Sequence, residues 1–304
     1  MRMIYSVSAG LCVLAVLVGP ANACDTANPA ESTTKKHTLR YKFQPRETIR
    51  WKVVHRGRVR TTVSDVTQVA ETVSTSVKAW RVTSLSSDGT VTFAHLVENV
   101  DMRQQLTGRN EVRYNSQTDK KPPPGFQHIA ASIGVPLSIV TMDARGKVLH
   151  RARKSVATAV QPEGPMTIPL PDEPVPVGHR WSVPHEVTVP LETGGVKKVQ
   201  TRQVFTLVDV KTGIATVEVV NQILTPIHSP AIQAKLAQQE SNGTIRFDID
   251  AGRVIHQQID LDKRVLGFRG PASSLHYLTR FTEDLLPQTA RTASTGKATR
   301  SNKQ

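Results

Sequence analysis

Apolar and polar residues alternate with a period of two along much of this chain, the pattern of strands buried on one side. It is plainest at residues 49–56, where Trp51, Val53 and His55 fall on one face and Arg50 and Lys52 on the other. Residues 39–43 alternate in the same way, and 44–48, which hold Pro45, read as a turn. Residues 58–85 carry a conflict, because Val59, Val63, Val66, Ala70, Val73, Val77 and Trp80 also fit a helical spacing. The density of Val, Thr and Ser there decides for strands, since these are weak helix formers.

The alternation continues as a set of hairpins. Ser87-Asp88-Gly89 is a turn before a strand at 90–97, and 137–142 and 147–152 flank the turn Asp143-Ala144-Arg145-Gly146. Residues 110–125 are polar and end in three prolines and a glycine, a surface loop, after which 126–133 read as a short helix. Six prolines between 161 and 178 oppose both helix and inner strand, so this stretch reads as a linker. Strands at 180–189, 203–210 and 214–223 come next. A short helix at 230–240 follows, then a hairpin around Asp250-Ala251-Gly252 and a last strand at 276–281.

Two phrases recur in the same order. Arg50-Trp51-Lys52-Val53-Val54-His55 returns as Arg180-Trp181-Ser182-Val183-Pro184-His185, and the turn at 143–146, closing on His150, returns at 250–252, closing on His256. The expectation is a mainly β protein of two duplicated antiparallel β modules, curved sheets or half-barrels, each with one short helix. Its parts are a signal peptide (1–23), a polar tether (24–38), a first module (39–160), a proline-rich linker (161–178), a second module (179–286) and a disordered basic tail (287–304).

The leader carries Arg2, an apolar run from Ile4 to Val18, and Ala21-Asn22-Ala23 as a cleavage site, which predicts export to the periplasm, the cell envelope or the extracellular space. Cys24 would begin the mature chain as its lone cysteine, open to lipidation and unable to form an internal disulfide. That anchor is the membrane attachment the sequence offers. The formal net charge is +14. Loss of Arg2 with the leader leaves +13, of which the tail carries +4, so residues 39–286 hold +9. Such a surplus favours anionic partners, lipid or an anionic envelope polymer. Low aromatic content and export argue against nucleic acid.

Candidate chemistry is sparse. His55, His185, His150 and His256 recur at matching places, but none has close ligand spacing, so no metal site is assigned. No nucleophile elbow, zinc-protease motif or phosphate-cradling loop is present, and no catalytic residue or cofactor is assigned. Arg56, Arg58 and Arg60 would line one strand face as a basic stripe. Trp51 and Trp181, with His55 and His185, are the candidate ligand-binding residues. They are core if the sheets pack shut and pocket walls if the sheets enclose a cavity.

The run from Leu39 to Trp51, together with Val177-Gly178-His179-Arg180-Trp181, resembles the opening of a family of uncharacterised exported, lipoprotein-like β-rich proteins of bacteria, a domain of unknown function. The usual turn glycine stands at Gly178 but is replaced by Arg46 in the first copy. The resemblance implies export and no assigned activity. The expected function is therefore a non-enzymatic exported protein binding an apolar or amphipathic ligand. The alternatives are a structural or adhesive surface protein that binds anionic polymers, and a hydrolase with dispersed catalytic residues.

Overall fold

Strand propensity wins over helical spacing at residues 48–85, which form one long hairpin. β2 (Thr48–Val63) and β3 (Val66–Leu85) pair in unbroken register across it. Ser64 and Asp65 close it with φ of 47° and 65°, the left-handed pair that suits a tight two-residue hairpin. The structure, a computed structural model, describes residues 35–154, 166–192 and 194–288. The signal peptide and Cys24 lie outside these residues, as does most of the tail.

The first half continues with β4 (Val91–Leu106), β5 (Val112–Asn115), α1 (Gln127–Ser132), β6 (Pro136–Met142) and β7 (Val148–Arg153). The second half has β9 (Arg180–Pro190), β10 (Val196–Lys211), β11 (Ile214–Ile223), α2 (Pro230–Leu236), β12 (Asn242–Asp248) and β13 (Arg253–Leu266). In each half three long strands precede a short helix and a closing hairpin, and, β5 apart, consecutive strands are neighbours. The last strand, β14 (Ser273–Leu285), then inserts between β2 and β13. The result is a single antiparallel sheet in the order β7-β6-β4-β3-β2-β14-β13-β12-β11-β10-β9, with β5 added beside β4. The protein is mainly β, and the strands of the two halves share one hydrogen-bonded sheet.

Its edges are β7, which ends in Arg151 and Arg153, and β9, which holds Pro184 and Pro190. Charge and proline both discourage further strand pairing.

One face of this sheet carries the core. Trp51, Trp80, Phe93 and Val140 of the first half pack in one cluster with Phe205, Leu207, Val217 and Phe247 of the second. The register places all of them on the same side, so the sheet curls to bring that side together. Both helices lie on it as well. Ile129 of α1 packs with Val100 and Tyr114, and Leu236 of α2 is fully buried against Val189 and Val199.

Two segments seal one end, and both differ from the sequence reading. Residues 39–43 alternate in burial as expected, Leu39 and Tyr41 inward, yet they join no ladder. Their amides serve the two matching turns instead: Tyr41 N donates to Ala144 O at 2.7 Å and Lys42 N to Gly252 O at 3.0 Å. The described part of the expected linker, 166–178, is not a spacer. Ile168, Leu170 and Val175 enter the main core, and Ile168 N donates to the Tyr41 hydroxyl at 3.0 Å. Burying three aliphatics outweighs the chain stiffness that prolines impose. Just before each half, β1 (Lys36–His37) pairs with β8 (Val175–Pro176). The turn positions that the resemblance equates, Arg46 and Gly178, both have positive φ, 61° and 89°.

Candidate binding site

The two recurring tryptophans start from the same strand position and end in different surroundings. Trp51 is 2% exposed. It packs edge-on against Trp80 with ring centroids 4.8 Å apart, Trp80 stacks on Phe93, and the Trp51 indole donates to Val254 O at 2.9 Å. Trp51 is core. Trp181 is half-buried on edge strand β9, stacked between His179 and Phe205. Its indole donates to Pro169 O at 2.7 Å, which ties it to the proline-rich segment.

Between that segment and β9 lies a cleft of about 530 Å³. Leu170, Val175, Trp181 and Val183 with the prolines give it an apolar wall, and Lys36, Asp172, His179 and Ser182 add polar groups. Its floor is fixed by side chains. Arg40 donates to Pro171 O at 2.7 Å and to Asp172 O, while Arg145 pairs with both Asp143 and Asp172. The volume is in the ordinary range for small-molecule sites, and the mixture of apolar wall and few polar groups is typical of them.

The sequence-predicted histidines do not converge on it. His55 faces inward beside Phe281 and Ser74, and burial lowers its pKa. His185 is exposed, as is His150, and His256 is hydrogen-bonded to Asp284 at 2.6 Å. Among the described residues no group of His, Cys, Asp or Glu has the arrangement of a metal site. Trp181 and His55 do share one lateral row, running Trp181, Phe205, Val219, Gly243, Ile259, Phe281, His55.

A polar cluster above Trp51 had no signal in the sequence. Lys78 and Glu283 form an ion pair, with side chains 17% and 4% exposed. The Lys78 ammonium lies 4.8 Å from the Trp51 ring centroid and 5.2 Å from that of Trp80, and Gln257 donates to Glu283 at 2.7 Å. His95, on the same face beside Trp80, has its pKa pushed down to about 3, mainly by burial and then by the charges of Lys78 and Arg151. It is therefore a neutral imidazole. The cluster sits where the packed base gives way to the half-exposed upper strands. Lys78 and Glu283 lie 205 positions apart and meet only because β14 returns beside β2.

No family model matches the chain, and no curated protein matches it. Among solved structures it is similar to one titled lipid-protein interactions in lipovitellin, at 11% identity and a TM-score of 0.43. The match covers 81% of this chain and 26% of that one, so this chain spans about a quarter of its length.

Proposed function

We propose that this chain is an exported, non-enzymatic binding protein that takes an apolar or amphipathic ligand against Trp181, beneath the proline-rich segment. The observation that carries the reading is the cleft of about 530 Å³, with one half-exposed indole and several aliphatic side chains on one side and polar groups close by. An acyl or other apolar body would lie on Trp181, Val183 and Leu170, with its polar end toward Lys36, His179 or Ser182. The closing segment is held by Arg40, Arg145 and the Trp181 indole itself, so the wall is already formed before a ligand arrives. A preformed wall lowers the ordering cost of binding.

The protein has three tryptophans, and Trp51 and Trp80 are buried. Titration with a lysophospholipid or palmitate should therefore change emission from Trp181 alone, saturably. The Trp181→Phe variant should lose that change while its buried indoles still emit as before. A change that persists in Trp181→Phe, or none with any amphiphile, would overturn the site. Native mass spectrometry of the freshly purified protein should show a co-purified ligand that the variant lacks. The mass of the mature N-terminal peptide tests export and the Cys24 anchor together.

A further inference from the structure

We infer that the end of the sheet opposite the sealing segments docks on an anionic lipid surface. Antiparallel connections put the turns at 86–90, 143–147, 212–213 and 249–252 at the sealed end, and those at 64–65, 107–111, 194–195 and 267–272 at the other. The three most exposed large aliphatics among the described residues are Leu266 at 66%, Val66 at 63% and Val196 at 59%. Each begins or ends a strand at a turn of that second end. Val66 and Leu266 belong to neighbouring hairpins joined through β14, because Val63 pairs with both Val66 and Ser273, and Ser274 with Leu266.

Cations surround them. Arg60 and Arg264 lie on either side of His276 in one cross-strand row. His276 is hydrogen-bonded to Asp262 at 2.7 Å. Arg60, Arg264, Arg269 in the 267–272 loop and Arg109 in the 107–111 turn have no ion pair among the described residues. Against these four arginines, the acids at this end without a Lys or Arg partner among the described residues are Asp65, Glu192 and Asp262, so positive charge is in excess. A linear polyanion would use the arginines and have no use for aliphatic side chains at hairpin ends. A bilayer interface takes both, the aliphatics at the acyl boundary and the guanidinium groups among the head groups.

The test is sedimentation of the full chain, carrying Cys24→Ser so that no acyl anchor contributes, with vesicles of phosphatidylcholine alone or mixed with phosphatidylglycerol. Binding should need phosphatidylglycerol and weaken with salt. Arg60→Ala with Arg264→Ala should weaken it roughly 30-fold. Val66→Asp with Leu266→Asp should weaken it by about tenfold or more. Leu149→Asp, at an aliphatic 53% exposed near the sealed end, should leave binding unchanged, and circular dichroism melts report whether each variant folds. Binding indifferent to Val66 and Leu266, retention on heparin without vesicle binding, or equal loss in Leu149→Asp would each overturn the proposal.

Discussion

Replacing Glu283 by Gln tests the polar cluster above Trp51. The substitution keeps the shape and leaves an acceptor for Gln257, but removes the charge that partners Lys78. An ammonium whose side chain is 17% exposed, lying over two indoles, is then left with no counter-charge. Breaking one side of a buried ion pair costs about 3–5 kcal/mol. Residual exposure of Lys78 and its cation–π contacts favour the lower end, about 3 kcal/mol. In a folded unit of this size that corresponds to a fall in Tm of roughly 6–12 °C.

A second substitution sharpens the test, with the deficit of Glu283→Gln measured by urea denaturation. Adding Lys78→Met should recover most of the loss, because the uncompensated charge is gone. A deficit below about 1 kcal/mol, or a double variant no better than the single, would show that the pair is solvated and the reasoning wrong.

Two further outcomes follow from the same structure. A Cβ at Gly146 would meet Ile168 O at 2.5 Å, and one at Gly252 would meet Lys42 N at 2.5 Å, both at positive φ, so Gly146→Ala and Gly252→Ala should each cost about 2 kcal/mol or more in urea denaturation. Gly108→Ala, which meets nothing, should lose only the smaller cost of its own positive φ. His95 is neutral in the folded protein, with its pKa pushed down to about 3. The unfolded chain takes up a proton below about 6.5 that the folded one refuses, so this contribution is present above that pH and fades as pH falls toward 3. His95→Gln should flatten the loss by up to about 1.4 kcal/mol per pH unit, read from denaturation midpoints between pH 6 and 4.

Much of the architecture was legible in local pattern. Period-two alternation located most of the strands, and turn and helix-end residues located both short helices and the turns at 143–146 and 250–252, because these depend on residues close in sequence. The ends of strands were less legible: β4 runs to Leu106 and β13 to Leu266, through polar stretches such as Arg103-Gln104-Gln105 whose two faces are both wet. Alternation carries no signal where neither face is buried. Prolines at 161–178 predicted a linker. What the described ones mark is a segment, 166–178, held by burial of Ile168, Leu170 and Val175 and by a two-residue pairing with β1, which the sequence cannot distinguish from a spacer.

The sequence by itself determined that the chain is mainly β, that Trp51 and Trp181 each stand near the start of a strand with the side chain inward, and that the charge is strongly positive. Tertiary structure decided which tryptophan is core and which is wall. β14 pairs with β2 and places Trp51 deep in the middle of the sheet, where Trp80, Phe93 and Lys78 cover it. Trp181 lies on β9, beyond which no strand pairs among the described residues, so the proline-rich segment and His179 cover it and a cleft remains. Identical local patterns have different fates because burial depends on what the rest of the chain brings alongside, and that is fixed by strand order at long range.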